Sequence, residues 1–243
     1  MNFVGHIHIA ALCVDRYGYP SSVADAGSVD RPARPSGIEP SAAVRYHLGT
    51  ALPDFAAIGR FQLRNESQDP AVKTGVDVHH ATDGAFHDSA WFIERSKQLS
   101  SDLRARGINR GAARACGHVG VELLLDGHLL TRSATLADQA QAVLKATVQP
   151  VLELGRLVES QHMSSWAQHL KRIGSWTLPT DYDQPRSVAE RLQRILSHRP
   201  RLAFDTTQID TVAESLRHIT KPLVDGIDDM VGHVSAEVVN ELT

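Results

Sequence analysis

Apolar residues recur three and four positions apart along most of this chain and seldom alternate, which predicts helices throughout. Ser41 is a candidate N-cap for a helix running through Val44, His47 and Leu48 to about Leu52, where Pro53 interrupts it. GVDVHHATDGAFHDSAWF, residues 75–92, predicts a helix that continues or restarts after Phe92 and ends before Gly107. HVGVELLLDGHLL predicts another. Its apolar residues Val119, Val121, Leu123, Leu124, Leu125, Leu129 and Leu130 point in nearly every direction, so it should be buried all round. From Thr135 the pattern is helical to Pro150, and VLELGRLVESQHMSSWAQHLKRI continues it to Gly174. Ser187 with Glu190, and Thr211 with Glu214, match the capping box, and Pro222 precedes a last helix.

Two stretches break this rhythm. Residues 3–14 are apolar with His6 and His8 embedded; as a strand they place both imidazoles on one side, as a helix on opposite sides. Residues 15–40 are rich in Pro, Gly, Ser and Asp and read as a long loop. With no strand series, Gly-rich phosphate loop, zinc-type cysteine spacing or repeat, the expectation is an all-α chain, one domain over residues 1–243.

Composition narrows the functional classes. A net charge of −3 predicts no general attraction to nucleic acid or anionic membrane, and no apolar run approaches a membrane span. The opening MNFVGHIHIA lacks a basic start and carries two His, which argues against a signal peptide. Only Cys13 and Cys116 are present, so no disulfide framework is implied and a cytoplasmic location is expected.

The candidate chemistry lies in two rows of polar side chains set in apolar helices. His79, Asp83 and His87 stand four apart, and so do His118, Glu122 and Asp126. Burying such groups is costly unless they are satisfied, and a bound cation does this directly. The two rows are therefore expected to form two walls of one metal site; the competing reading is an internal network of paired His and acids. Imidazole and carboxylate without thiolate suit Mn, Fe, Zn or Mg. His80 and Asp88 lie off the main row. Arg104, Arg106, Arg110 and Arg114 form either a solvated linker or a cradle for phosphate or an acidic partner.

With these residues in view, the chain resembles the acyl carrier protein phosphodiesterase family, whose fold is related to HD-domain phosphohydrolases. MNFVGHIHIA, LGTALPDF, GVDVHHATDGAFHD, VELLLDGHLL and VAERLQRILSHRPRLA are each similar to a family motif, in order, over most of residues 1–205. The resemblance implies a compact helical bundle of HD type. It also implies divalent-metal hydrolysis of a phosphodiester, namely removal of the phosphopantetheine arm from holo acyl carrier protein. It favours a helix for the N-terminal stretch and carries over His6, Asp54, His79, Asp83 and Asp126 by position. Four departures stand out. Glu122 replaces an Asp, His87 replaces an acid unless Asp88 shifts in, Gly127 replaces a His, and residues 15–40 are inserted. More imidazole favours Mn or Fe over Mg.

The expected function is thus metal-dependent phosphohydrolysis of an acyl carrier protein or a small phosphoester. His6, Asp54, His79, Asp83, His87, Glu122 and Asp126 are the metal ligands, Asp54 or His118 orients water, and Arg110 steadies developing charge. The alternatives are an HD-fold di-iron oxygenase and a non-catalytic helical module.

Overall fold

Ten α-helices and three short 3-10 turns make up the regular structure of residues 1–17, 40–64, 67–149 and 154–242, which are the residues that the computed structural model describes. Among them there is no strand. The helices are α1 (Phe3–Tyr17), α2 (Ala42–Gly59), α3 (Pro70–Asp88), α4 (Ala90–Ala105), α5 (Arg110–Arg132), α6 (Ala134–Ala146), α7 (Met163–Gly174), α8 (Pro185–Leu196), α9 (Ile209–Val224) and α10 (Ile227–Leu242). The N-terminal stretch is helical, and α1 takes in Asp15, Arg16 and Tyr17 from the expected loop; residues 18–39 of that loop lie outside the described residues.

Capping chemistry explains the starts. Ser41 accepts from the Val44 N–H, Asp69 from those of Ala71 and Val72, Ser89 from Phe92 and Asn109 from Ala112. Ser89 corrects the expectation of one helix over 75–92, because it ends α3 and opens α4. Pro53 also differs: α2 runs through it. A proline costs the helix one hydrogen bond, here to the Gly49 carbonyl, and the buried face of Leu48, Leu52, Phe55 and Ala56 outweighs that loss. Ser187 lies inside α8, which opens instead with Pro185 at its first position, where a missing N–H costs nothing. The capping box ahead of α9 is formed by Asp205 and Gln208, not Thr211 and Glu214, and Pro222 sits within α9. The turn that follows uses Gly226, at φ +79.

The chain packs as two compact units, with boundaries inside α1, α3, α6 and α10 and between Leu178 and Pro179. One unit comprises Met1–Gly5, Gly84–Ala134 and Pro179–Val234. In it α5 packs on α4 and α8, and α9 packs on α4, α5 and α8. Gly117 brings α5 close to α4, since a Cβ there would lie 2.7 Å from the Ser96 carbonyl oxygen. Within residues 118–130 of α5 only His118 is exposed, with Val119, His128 and Leu130 half-buried; the helix is otherwise exposed towards its ends, at Arg110, Arg114, Thr131 and Arg132.

The other unit comprises His6–Asp83, Thr135–Leu178 and Ser235–Thr243. Its core includes Ile7, Leu52, Phe55, Leu144 and Trp166, whose indole N–H donates to the Leu154 carbonyl. The helices α2 and α3 meet glycine to glycine. A Cβ on Gly49 would lie 2.2 Å from the Val72 carbonyl oxygen, and one on Gly75 would lie 2.1 Å from that of Tyr46. Only glycine at both positions permits so close a crossing, and it sets Thr50 and Asp54 against His79.

Candidate metal centres

Three helices of the second unit deliver the first group: α1 supplies His6, α2 Asp54 and α3 His79. One ligand atom from each lies within 4.8 Å of the others. Two ligands on opposite sides of an ion about 2.1 Å away span about 4.2 Å, so small side-chain rotations bring the set to coordination distance. Asp83, one turn beyond His79, places Oδ1 3.8 Å from His6 Nε2, close to the 3.9 Å between that nitrogen and Asp54 Oδ2. The donor set fits a divalent cation with nitrogen and oxygen ligands.

The orientation of His79 follows from its surroundings. Its Nδ1 lies 2.8 Å from the Thr50 carbonyl oxygen, which only accepts, so Nδ1 carries the proton and Nε2 keeps its lone pair. Burial lowers its pKa from 6.5 to about 4, against the opposing pull of the Thr50 carbonyl and the Asp83 carboxylate. The ring is therefore neutral near pH 7. It stacks on the fully buried His6 ring, with centroids 3.9 Å apart and planes at 28°.

A second group forms in the first unit from His87, near the end of α3, and His118 and Glu122 of α5. Nε2 of His87 and Nε2 of His118 each lie 3.1 Å from the same oxygen, Oε1 of Glu122. The Met1 amine is 3.3 Å from both that oxygen and His87 Nε2. Burial opposes the Glu122 charge, but contacts from His118, His87 and the amine outweigh it and hold the carboxyl far below the usual range. Phe92 walls one side, its ring 4.8 Å from that of His87 and 5.0 Å from that of His118.

The expected ligands thus divide. His6, Asp54 and His79, with Asp83 beside them, assemble in one group, while His87 and Glu122 join His118 in another. Asp126 belongs to neither. It is buried, and its Oδ1 accepts the Gly5 N–H at 3.1 Å in the first turn of α1, where an anion also answers the helix dipole. Arg110 is exposed at the start of α5 and also lies outside both groups; His80 and Asp88 are exposed. Sequence reasoning missed Thr50 as the anchor of His79 and the Gly49–Gly75 crossing. A glycine one turn before His79, and another next to Thr50, were the available signals.

No family model, curated protein or solved structure matches the chain.

Proposed function

We propose that the chain is a metal-dependent phosphohydrolase acting on a phosphodiester, either the phosphopantetheine arm of an acyl carrier protein or a small phosphoester. The observation that carries this reading is the meeting of His6, Asp54 and His79, with Asp83 alongside. These residues come from three separate stretches, each similar to a motif of the acyl carrier protein phosphodiesterase family; of the positions that the resemblance carries over, His6, Asp54, His79 and Asp83 meet here and Asp126 does not. A divalent cation there would polarise a phosphoryl oxygen and lower the pKa of bound water.

The chain's own part is positioning. Thr50 fixes the tautomer and direction of His79, the stacked His6 ring is locked by burial, and Asp54 adds an anionic oxygen. The Asp83 side chain is 40% exposed, which suits it to accept a proton from water and pass it to solvent. Two imidazoles in the set favour Mn or Fe over Mg. For an acidic carrier protein the basic docking surface would be the exposed Arg104, Arg110 and Arg114; Arg106 is committed to Asp102 at 2.9 Å. Among the described residues no helix is long and apolar enough to cross a membrane.

A second reading rests on the donor types. Two His and one carboxylate also suit non-haem Fe(II), which would make the chain an oxygenase of HD type. The deciding experiment compares turnover of a chromogenic phosphodiester with Mn against Fe-dependent oxygen uptake. Phosphohydrolysis predicts Mn-dependent turnover that is lost in His79→Ala and Asp83→Ala. Oxygen uptake without phosphodiester turnover would replace it with the second reading.

A further inference from the structure

We infer that His87, His118 and Glu122 form a separate binding site for a first-row transition cation of the zinc or cobalt type, with one coordination position open to solvent. The inference goes beyond the proposed hydrolase and stands on different residues.

Convergence on one atom is the first argument. Here both imidazole Nε2 atoms approach Oε1, each at 3.1 Å, with ring centroids 4.8 Å apart. Two ligands bound about 2.05 Å from a tetrahedral ion lie about 3.3 Å apart. The two Nε2–Oε1 spacings are close to that of ligands sharing a cation, and all three ligand atoms lie within 4.8 Å of one another.

Preorganisation is the second argument. His118 and Glu122 are one turn apart on α5, so a single helix face offers nitrogen and oxygen together. His87 comes from the last turn of α3, where the helix dipole presents its negative end. Phe92 packs against both rings and restricts their rotation. Access is the third. The Glu122 side chain is 8% exposed, but that of His118 is 48% exposed, so an ion could enter beside His118 and keep a water as fourth ligand. Two imidazoles to one carboxylate select against Mg and Ca, which take all-oxygen shells. The nearby Met1 amine, 3.3 Å from Oε1, would give up that contact to the ion.

The test is titration of the full chain, stripped with a chelator, with Co2+ alone, read by its visible ligand-field absorption and by equivalents bound. A saturable band of low-coordinate Co2+ is expected, displaced by Zn2+ and unaffected by excess Mg2+. His118→Ala, whose side chain is half exposed and whose fold is checked by circular dichroism, should weaken this binding about ten-fold or more. His87→Ala should do the same; both losses are read in a His79→Ala background, where the first group is disabled and the band of the second should persist. Absence of saturable Co2+ binding, a band unchanged in His118→Ala and His87→Ala, or its loss in His79→Ala would each overturn the inference. Because the readout is a spectrum, a failure of phosphodiester turnover leaves it standing.

Discussion

Replacing Gly75 by alanine puts a methyl carbon 2.1 Å from the Tyr46 carbonyl oxygen and 2.8 Å from the Gly49 Cα. Carbon and carbonyl oxygen approach to about 3.3 Å at closest in ordinary packing, so α2 and α3 must separate by about 1 Å. One turn along α3, the 2.8 Å contact between His79 Nδ1 and the Thr50 oxygen would then open beyond hydrogen-bonding range. Overpacking costs about 1–3 kcal/mol and a buried pair left unsatisfied about 1–3 kcal/mol more, so Gly75→Ala should lose about 2–6 kcal/mol in urea denaturation. It should also bind Mn2+ more weakly, because His79 is no longer held. Gly84→Ala is the control on the same helix. Its Cβ would meet nothing within 4 Å, so it should gain about 0.5–1 kcal/mol and leave Mn2+ binding unchanged. A Gly75→Ala protein matching wild type in both stability and Mn2+ affinity would refute the reasoning.

Other substitutions test other joints of the fold. Gly127→Ala would place a Cβ 2.2 Å from the Tyr182 carbonyl carbon and 2.5 Å from the Asp183 nitrogen, and should cost about 2–4 kcal/mol; an unchanged melting temperature would contradict the packing described. Ser89→Ala removes a buried hydroxyl that accepts from the Phe92 N–H and donates to the Phe86 carbonyl, with an expected loss of about 1–2 kcal/mol in chemical denaturation; a loss below about 0.3 kcal/mol would contradict the cap. Burial also lowers the pKa of His47 from 6.5 to about 4, against the nearby Asp15 charge. Above pH 6.5 both states are neutral; between pH 6.5 and 4 the unfolded chain takes up a proton that the folded chain refuses, so stability falls with acid by up to about 3 kcal/mol. Because His79 is lowered to about 4 in the same way, His47→Leu should remove about half of the pH dependence over that window, and an unaltered slope would show that His47 does not contribute to it.

Local signals in the sequence marked the chemistry but not its partners. Four-residue spacing identified both polar rows, because a helix face is a local property. Which row meets what depends on helix packing: His79 is stacked on His6, and His87 meets His118 and Glu122 directly, with Phe92 beside them. The break at Ser89 was obscured because apolar residues continue across it, with Phe86, Trp91 and Phe92 all buried. The capping-box matches at Ser187 and Thr211 lost to Pro185 and Asp205, which begin their elements earlier. Pro53 misled because a proline penalty is local while the apolar face that overrides it spans several turns. Asp126 shows the same limit from the other side: its row suggested a ligand, and the structure turns it to the Gly5 N–H.

The most direct measurement of the central claim is elemental analysis of the chain purified without added metal, made in parallel on Asp54→Asn and His79→Ala with folding confirmed by circular dichroism. Mn or Fe is expected to be bound in the wild-type protein and lost from both variants, with Mn-dependent phosphodiester turnover lost alongside it. A wild-type protein that carries no transition metal and takes up none when Mn2+ is supplied would contradict it, as would variants that retain the full wild-type metal content.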